Sequence, residues 1–241
     1  MTKSETIWVR ARAALVLTGV RGDEDVLLWE HAARVARSAI LIAEFPEVSA
    51  YHPDGLVTLI AALFADAAWI MRCHAGECTR AEILTRPLSS AQREAGLKCM
   101  EQALADVAAP SLLERAGRVI RQFTDRESNL AEARIVADAE NLEEVGLASL
   151  WPSVRRGATE GKGVQTVLDQ WNRRKEYQFW ASRLKEGFHF AASRDIAVRR
   201  LAAYERLMDE LRMQQTGVDF PTRTAETPDR NDQSVTAGKV G

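Results

Sequence analysis

The sequence predicts an all-α protein built as a helical bundle. Apolar residues recur every three or four positions along most of the chain, which is the spacing of one face of an α-helix. No segment alternates apolar and polar residues over the length of a strand. Ser or Thr repeatedly stands three residues before Glu or Gln, ahead of an apolar-periodic segment, and this capping-box spacing is typical of helix starts.

Composition restricts the classes of function. The chain has 241 residues, of which 46% are hydrophobic and 27% charged, as in ordinary globular proteins with a good core. The formal net charge of -2 gives no reason to expect a nucleic-acid polymer or an anionic membrane as partner. Three cysteines, an odd and low number, are typical of a reducing compartment, and we expect a cytoplasmic protein.

The first two predicted helices have recognisable ends. Thr2 and Glu5 have capping-box spacing, and Gly19 or Gly22 ends the first helix. Its predicted buried face carries Ile7, Ala11, Ala14, Leu15 and Thr18. Asp23 or Asp25 caps a second helix, which Pro46 ends. The predicted buried stripe of that helix carries Trp29, Ala33, Ala36, Ile40 and Ala43.

The third predicted helix, LVTLIAALFADAAWIMR, begins near Pro53 and Asp54 and is apolar on nearly all sides. The apolar segment from Gly55 to Met71 approaches the lower length limit of a membrane span. It carries Asp66 within it, and a carboxylate at that depth in a bilayer is costly. We therefore expect no membrane span, but the central helix of the bundle.

Further helices follow, with starts that are read from the same capping-box spacing. The candidate pairs are Thr79 with Glu82, Ser89 with Gln92, and Ser111 with Glu114. A helical segment from Leu130 to Leu142 precedes a predicted loop from Pro152 to Gly163. Two last helices are predicted. The first carries Val164, Leu168, Trp171, Lys175 and Phe179 on one face, and the second carries Ile196, Leu201, Tyr204, Met208 and Leu211. Residues 1–214 are therefore predicted to form one helical domain, and the polar residues 215–241 a disordered tail.

Three polar residues stand in apolar surroundings. His31 lies early in the second helix, Asp66 in the central helix, and Asp138 after the apolar residues of the segment ARIVADAENLEEVG. A buried carboxylate needs a metal, a cation or several donors, and two carboxylates with one imidazole are ligands for Mn²⁺, Fe²⁺, Zn²⁺ or Mg²⁺. Alternatives remain: a backbone carbonyl for His31, an arginine partner for Asp66, and a solvated position beside Glu140 for Asp138.

The order of these motifs resembles the HD superfamily of metal-dependent phosphohydrolases. HAARV, AALFAD and IVADAENLEEVG follow the family's order from about Asp25 to Leu211. The resemblance implies an HD-domain-like helical bundle in which His31, Asp66 and Asp138 hold a divalent metal and Asp66 is catalytic.

Two histidines of the family pattern are missing. The paired His-Asp reads Ala65-Asp66, and a further family histidine falls near Gln122. Alanine has no ligand atom. Trp69 stands one helical turn after Ala65, so its indole is a candidate to fill the space of the missing imidazole.

Three hypotheses for function follow from the resemblance. The first is a phosphohydrolase for a nucleotide or other phosphate compound, with a reduced ligand set that favours Mn²⁺ or Mg²⁺ over Zn²⁺. The second is an inactive HD-fold pseudoenzyme that has lost the metal and binds a nucleotide or a protein. The third is different chemistry in the same cleft. The sequence does not indicate the substrate or the oligomeric state.

A separate cluster contains Cys73, His74, Glu77 and Cys78. These residue types bind zinc, but no second Cys/His pair is near enough in sequence to complete a tetrahedral site.

Overall fold

The computed structural model describes residues 1–19 and 21–220, and in that part of the chain almost every element is a helix. The elements are α1 (Lys3–Leu15), β1 (Leu17–Thr18), β2 (Glu24–Asp25), α2 (Leu27–Ala43), α3 (Pro46–Ser49), α4 (Gly55–Phe64), α5 (Ala68–His74), α6 (Ser90–Leu104), α7 (Pro110–Gln122), α8 (Ala131–Glu144), α9 (Leu150–Thr159), α10 (Val164–Glu176), α11 (Phe179–Glu186) and α12 (Ala191–Thr216). Short 3₁₀ helices at Arg80–Glu82 and Leu147–Ser149 complete the described part. The prediction of an all-α protein is confirmed.

Helix α4 lies at the centre, packed against α2, α7 and α8. Its residues from Val57 to Phe64 are all buried, as its nearly uniform apolar sequence predicts. Asp54 caps its start by accepting hydrogen bonds from the backbone N–H groups of Leu56 and Val57. By length and composition the segment Gly55–His74 could span a membrane, but 78% of that window is buried inside the fold, as in the core helix of a soluble protein.

The predicted long central helix is interrupted at Ala65–Ala67. There the backbone N–H groups of Ala67, Trp69 and Ile70 bond to the carbonyls three residues earlier, so the chain tightens into 3₁₀-type turns. The helix that the sequence predicts is therefore two helices, α4 and α5. Asp66 lies at the interruption between them, where its side chain is 19% exposed.

Three of the four predicted capping boxes are present in the structure. Thr2 with Glu5 caps α1, Ser89 with Gln92 caps α6, and Thr79 with Glu82 caps the 3₁₀ helix Arg80–Glu82. The box at Ser111 is wrong, because the N-cap residue of α7 is Ala109, two residues before Ser111, and Pro110 lies in the first turn. Proline is favoured there since its missing N–H would have no helical partner.

The buried stripe predicted for α2 is rotated in the structure. Ala33 and Ala36 are buried, but Ile40 is 36% exposed, and the side chains of Val35 and Ile42 face the core instead. The sequence predicts Asp23 or Asp25 as the cap of α2, but the N-cap residue is Val26. Asp25 lies one residue before it, and its Oδ1 accepts the backbone N–H of Leu27 at 3.2 Å.

The predicted loop from Pro152 to Gly163 is wrong for most of its length, since α9 covers Leu150–Thr159. Pro152 lies in the first turn of α9, a position that proline tolerates because no intrahelical donor is needed there. Arg155 of α9 forms two hydrogen bonds with Asp25, which fastens α9 to the small β1–β2 hairpin.

Helix α12 continues to Thr216, and Gly217 ends it in the left-handed conformation. Most of the predicted tail of 215–241, namely residues 221–241, lies outside the described residues.

Candidate metal centre

Three ionisable side chains from three elements meet beside the central helix. His31 comes from α2, Asp66 from the interruption between α4 and α5, and Glu140 from α8. His31 Nε2 lies 3.2 Å from Asp66 Oδ2 and 3.3 Å from Glu140 Oε2. One ligand atom from each of the three residues lies within 4.8 Å of the others. The structure therefore brings together the predicted residues His31 and Asp66, and adds Glu140.

The imidazole edge of His31 faces the gap between the two carboxylates. Nε2 is buried and makes no hydrogen bond of normal geometry with any described residue, although both oxygens are near it. An unpartnered buried nitrogen is unusual in a folded protein. One imidazole and two carboxylates around a common point fit a divalent cation with nitrogen and oxygen ligands.

A third carboxylate lies on the other side of the imidazole. His31 Nδ1 lies 3.9 Å from Glu143 Oε2, one turn along α8 from Glu140. The same oxygen accepts a hydrogen bond from Arg34 Nε at 2.6 Å. Groups behind a metal-binding histidine orient its ring and fix its tautomer. Arg34 and Glu143 are therefore in the position of residues that orient His31.

The charges of the three groups are strongly interdependent. Burial by itself would lower the pKa of His31, but Glu140 and Asp66 outweigh it and raise this pKa to about 10. Burial and the nearby Asp66 raise the pKa of Glu140, and His31 opposes that shift. Without a metal, an imidazolium at His31 therefore neutralises part of the carboxylate charge.

Arg93 and Trp69, the two bulky side chains considered as occupants of this centre, each pack against another partner. Burial lowers the pKa of Arg93, and Asp66 and Glu140 partly offset this, so the guanidinium is within electrostatic range of both carboxylates. It stacks over Phe123 at 5.0 Å instead, and within the described residues no arginine lies within 4.0 Å of Asp66. The indole of Trp69 is 1% exposed and packs with the guanidinium of Arg72 at 5.0 Å.

Asp138 has a different environment from the other two predicted ligands. Its oxygens accept the backbone N–H groups of His189 at 2.8 Å and Phe190 at 3.1 Å, immediately before α12. Asp138 is 0% exposed, and burial raises its pKa to about 6 against these hydrogen bonds. Two positions along a helix turn a side chain by about 200°, so Asp138 and Glu140 face opposite sides of α8. The structure does not bring Asp138 to His31 and Asp66.

Glu140 is the site residue that sequence reasoning missed. A usable signal existed in the acidic spacing of Glu140 and Glu143, which places both carboxylates on one face of α8. The two positions at which the family has a histidine, Ala65 and Gln122, supply no ligand to this group. Ala65 is buried without a polar atom, and Gln122 Oε1 accepts a hydrogen bond from Ser128 Oγ at 3.0 Å.

A cleft of about 530 Å³ opens beside the centre and has Glu140 in its wall. Arg126, Arg183 and His189 contribute cationic or polar groups, and Tyr177 and Phe179 contribute aromatic rings. Tyr177 is 78% exposed at this cleft, and Arg183 stacks over Phe179 at 5.4 Å. The cleft size is within the range of small-molecule sites.

Solved structures with a similar fold give the comparison with known proteins. Bacillus subtilis YpgQ has a TM-score of 0.56 at 16% identity, with 90% of this chain and 97% of that chain covered. The structure of YpgQ in complex with ADP has a TM-score of 0.54 at 16% identity, with 90% and 100% covered. A Lactobacillus plantarum protein has a TM-score of 0.52 at 15% identity, with 89% and 97% covered.

No protein-family model matches the chain, and no curated protein matches it either. At these identities the structural neighbours establish the fold and no more. YpgQ is an HD-domain helical protein, so the prediction of an HD-domain-like helical bundle is confirmed.

Proposed function

We propose that this chain is an HD-type metal-dependent phosphohydrolase in which His31, Asp66 and Glu140 form a reduced ligand set. The observation that carries the proposal is the convergence of one atom from each residue within 4.8 Å, with the buried His31 Nε2 lying 3.2 Å from Asp66 Oδ2 and 3.3 Å from Glu140 Oε2. Glu140 takes the ligand role that the sequence assigns to Asp138.

The donor set favours a hard divalent ion. Two carboxylates and one imidazole leave coordination positions for water or substrate, and this suits Mn²⁺ or Mg²⁺ better than Zn²⁺. A divalent ion held there supplies a Lewis acid that activates water and neutralises phosphate charge. Asp66 lies at the turn between α4 and α5, and this turn directs its carboxylate to the centre. The neighbouring residue, Ala65, contributes no imidazole.

The proposed substrate is a nucleotide or a similar phosphorylated small molecule. The wall of the cleft beside Glu140 carries Arg126 and Arg183, which pair with Glu186 and Glu144 and would exchange these partners for phosphate oxygens. The exposed ring of Tyr177 is available to a planar base. One structural neighbour, YpgQ, is described in complex with ADP. We place the protein in the cytoplasm, where nucleotides are abundant, and we propose no membrane or nucleic-acid polymer as partner.

One observation favours the alternative of an inactive HD-fold protein that binds a nucleotide or a protein partner. Asp66 and Glu140 raise the pKa of His31 to about 10, so a proton on the imidazole can balance the carboxylates where a metal would otherwise do so. Metal binding distinguishes the two functions.

The test is calorimetric titration of the metal-free protein with Mn²⁺. We expect saturable binding at one site, and loss of that binding in Asp66→Asn, because the variant removes a charged ligand from the centre. Asp106→Asn is the matched control, since its side chain is 62% exposed and lies in an ion pair with Arg10. Nucleoside triphosphates are then screened for hydrolysis in the presence of Mn²⁺.

Two results would oppose the proposal. Absence of binding up to millimolar Mn²⁺ would favour the inactive alternative, and nucleotide binding to the metal-free protein would then be measured. Equal binding by the wild-type protein and Asp66→Asn would show that the metal binds elsewhere.

A further inference from the structure

Cys73 and Cys78 lie away from the metal centre and face each other. Cys73 belongs to the last turn of α5, and Cys78 follows in the loop before Thr79. Their Sγ atoms are 3.0 Å apart, and both residues are partly buried. The four residues between them are exposed, so the pair lies at the surface of the fold.

The end of α5 explains why the two thiols meet. Gly76 has a φ of +72°, in the left-handed region that glycine adopts easily. The N–H of Gly76 bonds to the carbonyl of Cys73 at 3.1 Å, and that of Glu77 bonds to Arg72 at 2.9 Å. These two bonds form a Schellman motif, which reverses the chain after the helix. The reversal carries Cys78 back alongside Cys73.

Neither sulfur makes a strong hydrogen bond to another described residue or belongs to a metal-ligand group. The nearest further polar contacts are weak, from Cys73 Sγ to the Thr79 carbonyl at 3.9 Å and from Cys78 Sγ to the Trp69 carbonyl at 4.0 Å. Among the described residues, no histidine or carboxylate joins the two sulfurs in a metal-ligand group. Cys99 is 7% exposed and lies in α6 as a buried thiol.

We propose that Cys73 and Cys78 form a redox pair, which small-molecule disulfides such as glutathione disulfide convert into an intramolecular disulfide. The sulfurs need to approach by about 1 Å to reach the bonding distance of a disulfide. Side-chain rotation at Cys78, which lies in a loop, can supply this movement without displacing α5. The Schellman turn already supplies the chain reversal that a disulfide across so short a loop requires.

The exchange takes place in two steps. The thiolate of one cysteine attacks the small disulfide, forms a mixed disulfide and releases one small thiolate. The second cysteine loses its proton to water, and its sulfur displaces the other small thiolate to close the Cys73–Cys78 bond. In total, two electrons and two protons leave the cysteine pair, and the small disulfide is reduced to two thiols. Burial and the adjacent Cys78 raise the pKa of the Cys73 thiol, so we expect the exchange to accelerate as the pH rises.

The test is equilibration of the full-length protein in buffers of glutathione and glutathione disulfide, followed by acid quenching, thiol counting under denaturing conditions and intact mass measurement. We expect the oxidised chain to lose two hydrogens in mass, to retain one thiol, at Cys99, and to remain a single chain on a non-reducing gel. The bond should form more readily in the folded protein than in the urea-unfolded protein, by on the order of tenfold.

Matched variants separate the pair from general thiol reactivity. Cys73→Ser and Cys78→Ser should each take up one glutathione at the remaining cysteine. Gly76→Ala should weaken internal disulfide formation by about fivefold, because alanine disfavours the left-handed backbone that brings the thiols together. Gly161→Ala is the control, since Gly161 has a φ of +69° in a turn that is remote in sequence from both cysteines.

Three results would overturn the proposal. The wild-type protein could retain three thiols throughout the redox range, or take up glutathione at both cysteines without closing the internal bond. Purified protein could also carry one equivalent of zinc that is lost in Cys73→Ser, which would assign the pair to a metal site.

Discussion

Asp138 and Glu140 lie only two positions apart on α8, yet the helix turns their side chains to opposite sides. Asp138 accepts two backbone N–H groups where the chain enters α12. Glu140 faces α2 and lies 3.3 Å from His31 Nε2. The first carboxylate therefore holds an element in place, and the second belongs to the proposed metal centre.

The first prediction concerns Asp138→Ala. This change leaves the N–H groups of His189 and Phe190 buried without acceptors, so it should lower the free energy of unfolding by about 2–4 kcal/mol. The affinity of the folded protein for Mn²⁺ should change less than twofold or so, since Asp138 lies outside the proposed ligand set. Urea unfolding and calorimetric titration measure the two effects.

Glu140→Gln is the matched comparison, and we expect it to change the affinity for Mn²⁺ more than the free energy of unfolding. It removes one of the proposed metal ligands and should weaken Mn²⁺ binding by more than about tenfold. In the metal-free protein it relieves repulsion from Asp66 but also weakens the attraction to the His31 imidazolium, so the free energy of unfolding should fall less than in Asp138→Ala. If Asp138→Ala abolished metal binding and Glu140→Gln did not, the sequence-based assignment would be correct and ours wrong.

A second prediction concerns the missing family histidine. Ala65→His places an imidazole beside Asp66 and should tighten Mn²⁺ binding by about tenfold if it reaches the centre. Ala67→His is the control, because Ala67 is as buried as Ala65 and lies in the same turn. Equal affinity of both variants and the wild-type protein would mean that position 65 does not face the ion.

A third prediction is a dependence on pH. The folded pKa of His31 is about 10, above its ordinary value of 6.5. In the metal-free protein the imidazolium therefore contributes stability that is fully present below pH 6.5 and lost as the pH rises towards 10. Urea unfolding should show that the stability difference between the wild-type protein and His31→Gln shrinks over this interval.

The same proton competes with the metal for His31 Nε2. Mn²⁺ affinity should therefore increase by about tenfold per pH unit between pH 6.5 and 8.5. A pH-independent affinity in this interval would indicate that His31 is already neutral or does not bind the ion.

At the scale of elements, the position of α5 matters because α5 begins two residues after Asp66. Helix α6 packs closely on α5 at Gly96, where an added Cβ would lie 2.8 Å from the backbone nitrogen of Ala68. Such a distance is too short for a real carbon contact. The small residue at position 96 therefore lets α6 support the turn that carries Asp66.

The fourth prediction compares two glycines inside helices. Gly96→Ala should lower the free energy of unfolding by about 1–3 kcal/mol, because the new methyl group pushes α6 away from α5. In Gly117→Ala the new carbon would have no contact shorter than 3.5 Å, so the higher helix propensity of alanine should stabilise α7 by up to about 1 kcal/mol. Thermal or urea unfolding measures both. Equal effects of the two substitutions would contradict the close packing at Gly96.

At the scale of the whole molecule, α2, the α4–α5 turn and α8 each supply one proposed ligand, and α4 packs against both α2 and α8. An ion that binds all three ligands is bound by the folded chain alone, since unfolding separates residues that are distant in sequence. Metal binding should therefore stabilise the entire fold.

The fifth prediction is a shift in thermal unfolding. A free Mn²⁺ concentration one hundred times the dissociation constant should stabilise the wild-type protein by about 2.7 kcal/mol, or roughly 5–10 °C in Tm. Asp66→Asn should show no specific shift under the same conditions. A comparable shift in both proteins would point to metal binding outside the proposed centre.

Much of the fold is predictable from the sequence because local patterns specify it. Capping at Thr2 and Ser89 and the apolar composition of α4 depend on neighbours within a few residues, and these features appear as expected. The interruption at Ala65–Ala67 and the helix α9 were missed. The first has no glycine or proline to mark it, and the second contains Pro152 and Gly157, which normally indicate a loop.

The sequence by itself determined the helical class and the order of the HD-like motifs, and it singled out His31 and Asp66 as candidate ligands, because periodicity and residue type are local properties. Only the tertiary structure decided which carboxylate of α8 accompanies them, since rotation about a helix axis depends on what packs against each face. It also decided that Cys73 and Cys78 meet, because the chain reversal at Gly76 follows from backbone conformation that the spacing of the cysteines does not reveal.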